Sequence, residues 1–168
     1  MSAYWLSILK EVQEGKVSPE EAWKSFSKLS FEELGFAKID HHRKIRQGMT
    51  EVIYCPGKTE EQIEEIFTRL AKTGGNVLAT RAWEKVYQRL SRIFPEIKYF
   101  PLSRLLLLQQ EEAPLKGRVA LVTAGTADQA VAEEAAITME LMGSKVERLY
   151  DLGVAGIHRL LSHQTRLE

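Results

Sequence analysis

Apolar residues recur along this chain in short bursts, and the spacing of those bursts changes character twice. Near the start, Leu6, Leu9 and Val12 stand at helical intervals and Gly15 closes the run. Ser18-Pro19-Glu20-Glu21 then joins an N-cap serine, a proline at the first helical position and an acid at the third. Trp23 and Phe26 supply the apolar face of that second segment. The pair predicts a helical hairpin over residues 1–30. So small a hairpin buries little by itself, so it is expected to dock on the rest of the chain or on another subunit.

Between Phe36 and Arg46 the pattern weakens, and His41-His42-Arg43-Lys44-Ile45-Arg46 is densely polar. Glu51 to Tyr54 is a short strand candidate closed by Pro56-Gly57. Thr59-Glu60-Glu61-Gln62 is a capping box, and it opens an amphipathic helix with Ile63, Ile66, Phe67 and Leu70 inward. Gly74-Gly75 stops that helix, Asn76 to Ala79 returns as a strand, and Ala82 to Ile93 forms another helix. Trp83, Val86, Tyr87 and Leu90 share one face of it. Ile97 to Phe100 and Arg104 to Leu108 read as further strands, all too short for alternation to assign their partners. Residues 31–112 are thus expected to form a small α+β domain.

The stretch Glu111-Glu112-Ala113-Pro114-Leu115-Lys116-Gly117 is polar and broken by proline and glycine, and a domain boundary is placed there. Arg118 to Thr123 then reads as a buried strand, Asp128 to Met142 as a helix capped by Gly143, and Lys145 to Tyr150 as a second strand. A further helix begins near Val154. Strand, helix and strand at this spacing form a right-handed parallel crossover. Parallel sheets have both faces covered, and two strands are marginal alone. Residues 117–168 therefore read as the beginning of a larger α/β domain, apparently truncated, whose cover comes from elsewhere.

Lysines plus arginines number 23 and aspartates plus glutamates number 23, so no net field draws the chain to nucleic acid or an anionic membrane. The longest apolar run is far short of a membrane span, and Lys10 follows rather than precedes the first apolar residues, unlike a secretion signal. A single cysteine, Cys55, excludes an internal disulfide and suits a reducing cytoplasm.

Two loops carry the candidate chemistry. Thr123-Ala124-Gly125-Thr126-Ala127-Asp128 turns a strand into a helix, where backbone N–H groups suit a phosphate or ribose. Gly125 permits close approach, Thr126 offers a hydroxyl, and Asp128 either holds sugar hydroxyls or simply caps the helix. Asp151-Leu152-Gly153-Val154-Ala155-Gly156-Ile157-His158-Arg159 follows the second strand. Both loops would lie at the carboxyl ends of parallel strands, where open α/β sheets bind ligands. There His158 could exchange a proton and Arg159 could hold a phosphate, unless both lie on a solvated helix face. The basic cluster His41 to Arg46, with Lys58, is read as a solvated loop rather than a phosphate or nucleic-acid site. His41-His42 makes a poor metal pair, and Cys55 a poor nucleophile, since neither has identifiable partners.

Three stretches together resemble the LarB family of nickel-pincer cofactor biosynthesis. They are GMTEVIYCPGKTEEQIEEI (Gly48 to Ile66) with GNVLATRA (Gly75 to Ala82), VALVTAGTADQAVAEEAAITMELMG (Val119 to Gly143), and VERLYDLGVAGIHRLL (Val146 to Leu161). Cyanobacterial circadian-phase-modifier proteins look similar in the same stretches. The second half also resembles the start of a PurE-type aminoimidazole ribonucleotide carboxylase domain, a parallel three-layer α/β fold. That family carries Gly-Ser-x-Ser-Asp after its first strand and Ser-Ala-His-Arg after its second. Here Ala124-Gly125-Thr126-Ala127-Asp128 keeps the aspartate and loses both serines, while Gly156-Ile157-His158-Arg159 keeps the histidine and arginine.

The resemblance implies an enzyme that carboxylates the nicotinate ring of nicotinic acid adenine dinucleotide at C5, using CO2 or bicarbonate. It also implies hydrolysis of the phosphoanhydride, giving pyridinium-3,5-biscarboxylic acid mononucleotide and AMP. No covalently bound cofactor is implied, a role for Mg2+ stays open, and full-length relatives are expected to be homo-oligomers, octamers in the PurE type. The family's attacking cysteine and proton-transferring glutamate belong to later Gly-Met-Glu-Gly and Asn-Ser-Cys segments with no counterpart here, so this chain alone is expected to be inactive. Thr123, Ala124, Gly125, Thr126, Asp128, His158 and Arg159 are left as substrate-binding candidates. The alternative is a non-catalytic nucleotide-binding or oligomerising module with a regulatory role.

Overall fold

A computed structural model of the chain describes residues 3–27, 32–40, 43 and 51–164. It divides into two compact units, Met1–Glu51 and Val52–Glu168. The basic cluster His41 to Arg46 lies outside the described residues except for Arg43.

In the first unit, α1 (Ala3–Gln13) and α2 (Pro19–Ser27) form the expected hairpin. Ser18 and Glu21 make a reciprocal capping box. The Glu21 amide donates to Ser18 Oγ at 3.1 Å, and the Ser18 amide donates to the Glu21 carboxylate at 3.0 Å. Those bonds hold the Glu21 carboxyl below its usual range. The apolar faces differ from the expectation. Ile8 and Ala22 form the small core, with Val12 and Val17 against it. Leu6 and Leu9 are half exposed, and Trp23 is 70% exposed. Two helices this close need a small residue at the contact. Ala22 provides one, and that rotates Trp23 outward. The Phe26 side chain lies outside the described residues. Beyond the hairpin, β1 (Glu32–Glu33) and β2 (Lys38–Ile39) pair antiparallel around a turn at Gly35, whose φ of 81° suits glycine.

The second unit begins with a four-stranded sheet in the order β3-β4-β6-β5, made of Val52–Tyr54, Val77–Thr80, Leu105–Leu108 and Lys98–Phe100 for β3, β4, β6 and β5 respectively. β3 and β4 run parallel, with α3 (Glu60–Ala71) in the crossover between them. The other two pairs are antiparallel. The Thr59 capping box is present as the sequence requires, and Ile63, Ile66, Phe67 and Leu70 are all buried. The next helix, α4 (Glu84–Leu90), buries Val86 and Leu90, and Phe67 meets Phe94 with ring centroids 5.5 Å apart. Every residue of β4 and β6 is buried, so both faces of this sheet are covered.

The second cover explains how the unit holds together. After β7 (Gly117–Val122), the helix α5 (Gln129–Leu141) leads into β8 (Ser144–Leu149), which pairs parallel with β7 over six residues. α5 packs against β8. It also carries Ile137 into a core with Leu78, Leu105 and Leu107, where Leu141, Val52 and Phe100 pack around it. Leu78 pairs with Leu107 in the ladder, and Leu105 lies two residues away, so these three share a sheet face. One helix thus serves two sheets, which is why its sequence is apolar over much of its circumference.

The β7 strand is a correction. Its apolar run predicts a buried strand, but its burial alternates between half-buried and exposed, with Val122 44% exposed. Helix cover reaches one side of the two-stranded sheet, and nothing among the described residues seals the other.

Candidate functional site

The loops after β7 and β8 meet at the carboxyl end of the parallel pair. Thr123 is the staple between them. Its amide donates to Leu149 O at 3.0 Å, its carbonyl accepts the Leu152 amide at 2.8 Å, and its buried hydroxyl accepts the Asp151 amide at 3.2 Å. Gly153 presses against the same loop. A Cβ built there would lie 2.7 Å from Ala124 O, a contact no side chain tolerates. The sequence placed both loops on one crevice, and these contacts bring them together.

Within the first loop, Gly125 opens a short 3-10 turn, Thr126–Asp128, that runs into α5. Asp128 stands at the N-cap position of α5 but makes no side-chain cap bond to it. Its carboxylate instead accepts the Gly125 amide at 3.0 Å, tightening the turn. Thr126 and Asp128 are exposed and Gly125 half-buried, so the turn presents its polar atoms to solvent.

The second loop has a strained entry. Asp151 sits at φ 60°, a left-handed conformation that favours glycine, and its carboxylate pairs with the Arg159 guanidinium. Gly156 leaves room for that pairing, since a Cβ there would meet Arg159 Nε at 2.6 Å. Arg159 therefore folds back over the loop. His158 is exposed on α6 (Ile157–Leu161) and makes no side-chain bond to the first loop among the described residues. Thr123, Ala124, Gly125, Asp128 and Arg159 are thus knitted into the loop pair, while Thr126 and His158 stand at its surface. The sequence reading assigned no role to Asp151, Gly153 or Gly156. The signal for them was the spacing of two glycines after an acid in Asp151-Leu152-Gly153-Val154-Ala155-Gly156.

Away from the crevice, Arg148 of β8 is gripped by two acids of α5. Glu140 binds it through both carboxylate oxygens at 2.5 and 2.9 Å, and Glu133 takes Nε at 3.0 Å and also accepts the Tyr150 hydroxyl. These bonds raise the guanidinium above its already high ordinary value. A cavity of about 240 Å³ opens beside the network, lined among others by Lys98, Phe100 and Ile137. Cys55 is fully buried, and burial pushes its thiol up to about 11. A thiol held protonated in this way is a poor nucleophile. No group of three or more His, Cys, Asp or Glu side chains gathers into a metal site among the described residues.

Comparison with known proteins bears on the four-stranded sheet first. Residues 31–111 match the LarB/PurE-like N-terminal domain family. That match supports the LarB family for the domain it covers. An uncharacterized protein of Methanocaldococcus jannaschii is 31% identical over 173 residues, covering 95% of this chain. The chain spans 66% of that relative's length, just under two thirds. The LarB-type domain match takes in β3 to β6 and ends at Glu111. Asn76, at the start of β4, holds that point: its Oδ1 accepts the Gln110 and Glu111 amides at 2.8 Å each, and its Nδ2 donates to Glu111 O at 2.9 Å. The crevice loops lie beyond the domain match and within the span shared with the archaeal relative. No helix among the described residues is long and apolar enough to cross a membrane.

Proposed function

We propose that this chain forms the nucleotide-cradling part of a LarB-type enzyme that carboxylates a nicotinate dinucleotide. The substrate of this reading is nicotinic acid adenine dinucleotide, carboxylated at C5 of its nicotinate ring with CO2 or bicarbonate and cleaved at the phosphoanhydride to release AMP. One observation carries it: two glycine-bearing loops interlocked at the carboxyl ends of β7 and β8, with Asp128 and Arg159 in their rims, following a domain that matches the LarB/PurE-like N-terminal family.

The residues supply binding and orientation. The N–H groups of exposed Thr126 and Ala127 suit a phosphate or ribose oxygen, the Asp128 amide being taken by Gly125 O, and the Asp128 carboxylate suits sugar hydroxyls. Arg159 can take a phosphate by exchanging its Asp151 partner for one, since a guanidinium offers its fork equally to either anion. His158, exposed nearby, offers an imidazole for hydrogen bonding to a ligand. The ring chemistry needs a nucleophile, and Cys55, buried with a raised pKa, does not provide it. The chain belongs in this reading to a reducing cytoplasm and to a homo-oligomer whose contacts cover the open side of β7.

Calorimetric titration of the chain with nicotinic acid adenine dinucleotide tests the cradle. Saturable binding is expected, weakened about tenfold by R159Q, the scale of a lost charge-assisted bond. No labelled carboxyl group from bicarbonate is expected in the product, because the chain offers no accessible thiol among its described residues. Absence of binding, or binding indifferent to R159Q, overturns the cradle. Sustained carboxylation by the chain requires a different nucleophile. Light scattering over a concentration series tests the assembly, and a monomer at every concentration rules it out.

A further inference from the structure

The described chain contains three non-glycine residues with left-handed backbone: Arg81, Arg104 and Asp151, at φ 53°, 52° and 60°. Asp151 belongs to the crevice already described. The two arginines belong together at the far end of the other sheet. β4 and β6 pair so that Val77 faces Leu108 and Ala79 faces Leu106, and Arg81 and Arg104 each lie two residues beyond that last pair. The Ala82 amide donates to Arg104 O at 2.8 Å and closes this end. Two arginines in the same disfavoured conformation, at one end of the sheet, are unlike a chance pair of turn residues: glycine or asparagine fits each position at lower cost.

Among the described residues no carboxylate pairs with either guanidinium, although Arg69, Arg89, Arg118, Arg148 and Arg159 all have such partners. Glu60, at the start of α3, accepts the Trp83 indole N–H at 3.3 Å. Arg81 lies over the Tyr54 ring, 5.5 Å from its centroid, with Nη1 3.4 Å from the Tyr54 hydroxyl. Tyr54 itself is 50% exposed at the end of β3. Lys58 joins from the next turn, its ammonium held by Tyr54 O at 2.8 Å. The result is three cations and a phenol at the carboxyl edge of the parallel pair β3-β4.

We infer that Arg81 and Arg104, with Lys58 and Tyr54, form an oxyanion site for a phosphate or diphosphate group. Arginine's planar fork matches such oxygens by two parallel bonds, and two arginines at one end of a sheet suit two phosphoryl groups. Both strained residues fall at the same end of the sheet, and backbone strain of this kind clusters at ligand sites. This inference rests on the LarB-type sheet alone and is independent of the crevice after β7.

The probe is pyrophosphate, titrated calorimetrically into the intact chain at low salt. Saturable binding is expected, weakened about tenfold or more by R81Q and by R104Q. R89Q, whose guanidinium is engaged by Glu61 and Glu64 on α3, leaves this binding unchanged. R81G and R104G provide a second pair: glycine suits the left-handed backbone, so both keep the melting temperature while losing the ligand. No saturable binding by the unmodified chain overturns the site, as does affinity unchanged in R81Q and R104Q. Loss only in R159Q overturns it too, by moving the anion to the crevice. Failure of the dinucleotide titration with R159Q bears on the crevice and leaves this result standing.

Discussion

The two sheets of the second unit are built from similar apolar runs and end in opposite states. The four-stranded sheet buries all of β4 and β6 between α3 on one side and Ile137 of α5 on the other. The two-stranded sheet has the same helix on one side and leaves β7 half open, although Arg118 to Val122 is as apolar as many core strands. Burial therefore depends on what is available to cover a strand, and the strand's own composition does not decide it. The helix between β7 and β8 spends its largest apolar side chains, Ile137 and Leu141, on the neighbouring sheet. A parallel pair whose crossover helix is shared in this way has less cover of its own.

Core truncation gives the largest contrast. Phe67→Ala removes a fully buried ring beneath the four-stranded sheet and is expected to cost about 3–5 kcal/mol. Leu121→Ala on half-buried β7 is expected to cost less than about 1 kcal/mol in the monomer, because little surface returns to water. Urea unfolding of both variants decides. Equal losses break the comparison, because they mean β7 is covered in solution.

Cys55, in the turn after β3, sharpens the same contrast through pH. Its thiol is raised to about 11 by burial, against roughly 8.5 for a free cysteine. Between those values the folded chain keeps a proton that the unfolded chain gives up. Stability must then fall as pH rises from about 8.5 and level off above the folded value, by about 1.4 kcal/mol per pH unit inside the window. Unfolding curves of the unmodified chain and C55A, taken from pH 8 to 10, should diverge with that sign. Native-state alkylation near pH 8 should also be more than about a hundredfold slower than in urea.

The legible parts of the molecule explain the illegible ones. The four large inward residues of α3 were readable because a capping box fixes where the helix starts and its residues then keep one phase, while the small buried Ala71 left no mark. The hairpin α1–α2 was located correctly, but its inner face was not. Ala22 carries the contact, and a small residue leaves no mark in an apolar stripe. The reach of Ile137 onto Leu78 and Leu107 crosses the Pro114 linker, and periodicity within one element holds no information about a neighbour beyond a linker. At the crevice, the loop positions followed from strand order. The pressing of Gly153 on Ala124 and the Asp151–Arg159 pair depend on backbone conformation that residue type alone leaves open.

A mid-sized effect is expected at Asn76, the side chain that ties the end of the LarB-type sheet to its following linker. Asn76→Ala deletes three bonds of 2.8 to 2.9 Å at a partly exposed position. A loss of about 1–2 kcal/mol is expected. Hydrogen exchange should quicken at the Gln110 and Glu111 amides while β7 and β8 stay as they were. A spread of faster exchange into β8 would show that the two sheets open together.

The smallest effects compare how the two sheets start their helices. α3 begins with a reciprocal box, in which the Gln62 amide donates to Thr59 Oγ1 and the Thr59 amide donates to the Gln62 side chain. α5 begins through a 3-10 turn with only the return bond, from the Gly125 amide to Asp128. Thr59→Ala should cost about 1 kcal/mol, the usual worth of an N-cap hydroxyl. Asp128→Ala should cost about half that or less, because its carboxylate caps no α5 amide and is exposed to water. A residue of low structural worth at a loop rim is free to serve a ligand. Asp128→Ala should therefore weaken dinucleotide binding by more than it lowers stability when both are expressed as free energy. Thr59→Ala should do the reverse, leaving binding in the crevice unchanged. Matched losses of stability and binding in Asp128→Ala would reduce Asp128 to a turn residue and leave Arg159 as the crevice's main polar contact.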